Sequence, residues 1–376
     1  MRHFCLLFQG RYLSNLKISA DISARLLAFI NADIFSIRSH TAKSEYWKYY
    51  GDQLQANIRG SFVEVTGGSG FYVPQQSAVL KRTAQKILRA IKQPAKAASW
   101  VGRTLGSRFA VPRLMSYEQA FNAVMSGADV SVPINSAFTI NHRKLAEHPN
   151  VFASAASVKP HYKNWSGYEA SANILNHYYY QNILRGFINR EEIGTILEIG
   201  AGNGNFPSIL YHDWAPVRVV VIDLPETLTV SIPFLSSVFP NARIAMPNEI
   251  EIGGMPKEFD FAFLTVDQLE HLADNSVDLA INCHSFQEMT HEQIGTYFEL
   301  IQRVCRESGF FFTANRVEKF PCGPDAFAVE QFDPPNRMAE YPWKAQNKVV
   351  VHEISKLSRL VQLDGLSIRL ECICKG

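Results

Sequence analysis

The sequence is poor in the features that announce metal centres, membrane spans and nucleic-acid surfaces. Its 376 residues include six cysteines, Cys5, Cys283, Cys305, Cys322, Cys372 and Cys374, and no two of them form a C-x-x-C pair. A zinc site built on paired thiolates is therefore not expected. Cys372 and Cys374 sit two apart on a strand-like segment, where they share a face and pack as small hydrophobes. No stretch approaches the ~18 apolar residues of a membrane helix. The apolar run ahead of Gln9 and Arg11 is five residues long, shorter than a secretory h-region. Net charge is +2, too near neutrality to argue for a nucleic-acid partner. These absences together lead to the expectation of a cytoplasmic chain without a transmembrane segment.

What is present is an ordinary globular composition, 47% apolar and 19% charged, with ample material for a core. The length exceeds one typical domain. Between Glu64 and Glu118 there is no acidic residue, while nine Lys or Arg occur. Within that stretch Leu80, Ala84, Ile87, Leu88 and Ile91 recur at helical spacing beside Lys81, Arg82, Lys86, Arg89 and Lys92. Such a basic face is either solvated and balanced elsewhere, or it meets a phosphorylated substrate or an anionic membrane surface. The expected division is an N-terminal, mainly helical, partly basic region over residues 1–160 and a second domain over residues 161–376.

The second part opens with an aromatic-rich helix at residues 173–188 and then alternates. Short apolar strands are expected at Thr195–Ile199, Arg218–Ile222, Asp260–Leu264, Asp278–Cys283 and Gly309–Asn315. Helices are expected near Phe206–Tyr211 and at His291–Arg306. Apolar strands separated by helices indicate an α/β fold with a doubly wound, mostly parallel sheet covered on both faces. Leu366–Cys374 alternates, as an antiparallel edge strand does.

The central motif is the run from Ile196 to Asn205, Ile-Leu-Glu-Ile-Gly-Ala-Gly-Asn-Gly-Asn. It puts Glu198, Gly200, Gly202 and Gly204 at the end of a strand and the start of a helix, where a bare backbone admits a ligand closely. A dinucleotide site needs Gly-x-Gly-x-x-Gly, and Asn205 stands at its third glycine. Glu198 would repel a pyrophosphate but suits the ammonium of a methionine moiety, so the spacing favours S-adenosylmethionine. Asp223 ends the next strand, nineteen residues after Gly204, where an acid accepts hydrogen bonds from both ribose hydroxyls. Asp267 or Gln268 could meet the adenine amino group, or lie in a solvated loop. Asn282, at the end of the fourth strand, completes the candidate cofactor set.

The run Leu197–Gly204, Asp223 and the segment Asp274–Asn282 resemble the class I methyltransferase fold over residues 190–316. Asn282-Cys-His-Ser-Phe-Gln-Glu-Met289, Tyr297-Phe298, Asn315-Arg-Val-Glu-Lys319 and Asn176-His-Tyr-Tyr-Tyr-Gln181 more narrowly resemble bacterial sugar O-methyltransferases. The resemblance implies a Rossmann-like sheet, S-adenosylmethionine as cofactor and a sugar hydroxyl, on a glycan or nucleotide-sugar precursor, as acceptor. Some sugar methyltransferases use magnesium. No Asp cluster or His/Asp spacing demands a divalent metal here, so none is expected and none is excluded.

Transfer to a hydroxyl calls for a base beside the sulfonium carbon. His284, with an ordinary pKa near ~6.5, is the first candidate. Glu288, four residues on, either orients it or serves instead. The bland alternatives are that His284 stacks on the cofactor and that Glu288 caps the next helix. His291 reads as a helix-start residue. Asn315 and Arg316 are candidates for holding acceptor hydroxyls or a phosphate, though Arg316 could equally pair with Glu318. The segment from Phe320 to Trp343, with five prolines, has the length of a functional loop. Its aromatics suit a sugar face or packing against the N-terminal region. Alternatives left open are a methyltransferase for a non-sugar small molecule or a protein, an NAD-dependent oxidoreductase, and a scaffold without activity. A peripheral membrane contact and a homo-oligomer are also open.

Overall fold

The computed structural model describes residues 14–36, 47, 55–66, 140–141, 169–170, 172–319, 335–355 and 365–376. The basic helix expected near residues 80–92 and the aromatics Phe320, Phe327 and Phe332 lie outside them. The chain divides into two compact units, Pro74–Leu175 and the remainder, Met1–Val73 with Asn176–Gly376. The expected boundary near residue 160 falls within the first of these units.

In that unit the chain begins with β1 (Ser14–Lys17), α1 (Ala20–Ile30), β2 (Gln55–Arg59) and β3 (Phe62–Thr66). The three strands form an antiparallel sheet in the order β1-β3-β2, which a mainly helical extension did not include. Ser19 caps α1 by accepting from the Ile22 N–H, the usual service of a serine at that position. The other unit contains the antiparallel pair β4 (Ile140–Asn141) and β5 (Glu169–Ala170). Helix α2 spans Ala172–Phe187.

The main sheet draws on β6 (Thr195–Ile199), β7 (Arg218–Asp223), β8 (Ile244–Ala245), β9 (Phe261–Thr265), β10 (Val277–Cys283), β11 (Cys305–Arg316), β12 (Lys348–Ile354) and β13 (Leu366–Cys372). Its order is β12-β13-β11-β10-β6-β7-β9-β8. The run from β11 to β8 is parallel, and β13 is antiparallel to both of its neighbours. Between the strands run α3 (Asn205–Trp214), α4 (Pro225–Val238), α5 (Pro247–Gly253) and α6 (His291–Val304). One sheet face carries Leu197, Ile199, Val220 and Leu264 against Ile250 of α5 and Ile294, Phe298 and Ile301 of α6. On the other, Tyr211 of α3 meets Phe261 at 4.5 Å, and Tyr180 of α2 meets Phe312 at 5.6 Å.

One sequence expectation changes, and one helix was not expected. The last strand is not the edge: β12 covers it, and β13 is buried along most of its length, as an interior position requires. Helix α4 is hidden in a segment rich in Thr, Val and Ser with Pro233 inside it. It is buried on almost every side between the sheet and α1, so packing overrides a poor helix propensity. The aromatics Tyr341 and Trp343 pack on the core beside α6. They lie edge-on to Phe298 of α6, at 6.1 and 5.1 Å.

Candidate functional site

The glycine turn follows β6 directly, and its three glycines hold positive φ angles of 73°, 60° and 85°. Their side-chain-free positions serve different ends. A Cβ on Gly200 would stand 2.2 Å from the Ser285 Oγ, and one on Gly204 would press on Leu235 at 3.1 Å. Only Gly202 has nothing within 4 Å, so it alone is bare toward open space. The Gly202 N–H donates to one Asp223 oxygen at 2.8 Å, and the Leu224 N–H donates to the other at 2.8 Å. Turn and carboxylate therefore fix each other at the carboxyl ends of β6 and β7, the place where a doubly wound sheet binds ligands.

A cleft of about 840 Å³, its open mouth included, lies over these ends. Its floor is Gly200, Gly202, Asp223 and Leu224; Val266, Asp267 and Leu269 follow β9 along one side. Ser285 and Met289 lie past β10, and Gln293, Thr296 and Tyr297 project from α6. Trp47 comes from the N-terminal segment. The described lining contains two carboxylates and no Lys, Arg or His. Burial raises the Asp223 carboxyl to about 7 despite the backbone N–H donors that oppose the shift. Glu198, 2% exposed, is pushed well above the ordinary carboxylate value by burial and then by Asp223. Its Oε2 has no hydrogen-bond partner, an exposed debt for a buried acceptor. Burial, with Asp223 and Asp267 nearby, also drives the Tyr297 phenol upward.

The structure thus brings Gly200, Gly202, Asp223 and Asp267 to one cleft and gives other candidates structural work. Gln268 is turned inward: its Oε1 accepts from the Thr265 N–H at 3.0 Å and its Nε2 donates to the Pro247 carbonyl at 2.9 Å. Asn282, fully buried, donates to the Ile199 carbonyl and the Ser285 Oγ, tying β10 to the glycine turn. Asn315, also fully buried, donates to the Asn282 Oδ1 at 2.9 Å and accepts from the Gln287 N–H. Its amide is thereby engaged within the protein. The Arg316 backbone N–H donates to the Gln287 Oε1, and Glu318 pairs with Arg337 rather than with Arg316.

His284 follows β10 with φ of 64°, a left-handed conformation that is uncommon outside glycine. Its Nε2 lies 3.0 Å from the Tyr180 hydroxyl. Burial first, then the charges of Arg316 and Lys319, lowers its pKa to about 4, so the ring is neutral near pH 7. His177, stacked on Phe206 at 5.1 Å, is lowered to about 3 by burial and by His284. Glu288 is buried in a short 3-10 turn and faces the Lys319 Nζ at 3.6 Å. His291 does begin α6, capped by Thr290. The sequence pattern offered no sign of Trp47, Ser285 or Tyr297 as cleft residues. Ser285 and Tyr297 sit inside quoted motifs, but only the fold turns them toward the cleft.

The mostly parallel sheet with one antiparallel insertion is a doubly wound, Rossmann-like α/β fold. Among solved structures, a SAM-dependent methyltransferase from Aquifex aeolicus is 16% identical at a TM-score of 0.35, over 52% of this chain and 89% of that one. An S-adenosylmethionine-dependent methyltransferase from Mesorhizobium loti is 14% identical at 0.34, over 51% and 96%. A phosphoethanolamine N-methyltransferase from Haemonchus contortus, in complex with S-adenosyl-L-methionine, is 11% identical at 0.36, over 63% and 60%. No family model matches the sequence, and no curated protein matches it.

Proposed function

We propose that this chain is an S-adenosylmethionine-dependent O-methyltransferase acting on a sugar hydroxyl of a glycan or nucleotide-sugar precursor. The observation that carries the cofactor is the electrostatics of the cleft. Asp223 and Asp267 line it without a basic side chain among the described residues, and the buried Glu198 Oε2 lacks a partner. A pyrophosphate would meet carboxylates there, whereas a sulfonium and an ammonium would be attracted. The bare Gly202 and the fixed Asp223 suit a ribose. When bound, the cofactor supplies an electrophilic methyl group.

The residues of this chain do the rest. Asp223 accepts from ribose hydroxyls with lone pairs not used by its two backbone donors. Glu198 holds the ammonium. Neutral His284, oriented by Tyr180, accepts the proton of the acceptor hydroxyl, while Glu288 is engaged by Lys319 and is the second candidate. Residues 1–160 help to shape the acceptor side. The sugar acceptor rests on the resemblance of the motifs around Asn282 and Asn315 to sugar O-methyltransferases. A cytoplasmic setting belongs to the same proposal. Among the described residues no helix is long and apolar enough to cross a membrane, and no group of three metal-ligating side chains occurs.

Two measurements test this. Calorimetry with S-adenosylhomocysteine and with NAD should give binding of the first alone; the reverse would favour the oxidoreductase. Transfer of labelled methyl to a panel of nucleotide sugars, other small metabolites and protein then identifies the acceptor, and incorporation only into a non-sugar would overturn the sugar assignment.

A further inference from the structure

One residue of the N-terminal region lines the cleft. Trp47 stands among the walls together with Asp223, Leu224, Asp267 and Leu269, more than 150 residues away along the chain from any of them. Helix α1, earlier in the same unit, is tied to the main sheet. The Arg25 guanidinium on α1 donates to both oxygens of Glu249 at 2.7 Å and to the Ile244 carbonyl at 2.5 Å. The Ser23 hydroxyl donates to the Gly60 carbonyl at 2.6 Å, closing α1 onto the small sheet. Glu249 in turn accepts from the Met246 N–H, and Gln268 holds the next residue, Pro247, by its carbonyl. A continuous chain of polar contacts thus joins α1 to the loop that presents Asp267.

We propose that Trp47 packs its indole against the adenosine of the bound cofactor and so completes the cofactor site. This rests on the cofactor proposed above. Among the described lining Trp47 and Tyr297 are the aromatic side chains, and a purine offers two apolar π faces that an indole can cover. Aromatic stacking on a base contributes enough for truncation to weaken binding roughly ten- to a hundredfold.

The experiment uses the full chain and S-adenosylhomocysteine as probe, with calorimetry and tryptophan emission followed in parallel. Binding should change the emission of the wild type. Trp47→Phe should remove most of that change while still binding, and Trp47→Ala should lose ten- to a hundredfold in affinity, both with unaltered melting temperatures. Binding with the same emission change in Trp47→Phe and the same affinity in Trp47→Ala would overturn the inference and leave the cofactor reading intact. No binding to the wild type would overturn both.

Discussion

The carboxyl of Asp223 makes cofactor affinity depend on pH in a defined sense. In the ligand-free protein burial holds it at about 7. A ligand bearing ribose donors and positive charge binds the ionised form, so binding must release the proton wherever the carboxyl is still protonated. The usable sites scale with the ionised fraction, which is roughly nine-tenths at pH 8 and one-eleventh at pH 6. Affinity for S-adenosylhomocysteine should therefore fall about tenfold between those values, or ~1.4 kcal/mol, and continue to fall below pH 6. Glu198 titrates in the same sense, so the pair acts jointly. Asp223→Asn should accordingly lower the affinity and reduce the slope by about one proton rather than flatten it. Calorimetry in buffers of different ionisation enthalpy counts the proton directly. An unchanged slope in Asp223→Asn would refute the assignment of the step to this carboxyl.

The same group bears on stability with the opposite demand. Its folded-state pKa lies above the unfolded value near ~3.9, so its stabilising contribution is present at low pH and lost as pH rises through about 7. Ligand-free Asp223→Asn should gain melting temperature relative to wild type as pH goes from 6 to 8; a constant difference would contradict this. His284→Ala should reduce turnover by ~100-fold or more with little change in cofactor affinity, whereas untouched turnover places the base elsewhere. Gly200→Ala forces a Cβ to 2.2 Å from the Ser285 Oγ at a positive φ. It should cost about 2–4 kcal/mol in denaturant unfolding. Gly202→Ala, with open space around it, should cost only the roughly 1–2 kcal/mol of its left-handed backbone and act mainly on cofactor affinity. Equal stability losses would mean that the two glycines are not doing different jobs.

Five of the six strands between Thr195 and Arg316 and the helix after Thr290 were legible because apolar runs and glycine turns are local signals; the two-residue β8 was not. Asp223 was legible for the same reason, as an acid closing an apolar strand. Gln268, Asn282 and Asn315 were not. Each is a polar residue near a strand end, a pattern shared by ligand-binding side chains and by struts. Only the partners at Pro247, Ile199 and Gln287 distinguish them. Helix α4 was hidden because its stability comes from burial on nearly every side rather than from its own propensities.

By itself the sequence determined the alternation that makes a doubly wound sheet, the position of its glycine turn and the carboxylate one strand over. Periodicity and backbone freedom are properties of neighbouring residues, and these features depend on nothing further. The tertiary structure alone decided that Gly202 is the bare glycine, that β12 is the edge, that His284 is neutral against Tyr180, and that Trp47 reaches the cleft. Each of these depends on distances between residues far apart in the chain, and on the burial and fields that such distances create.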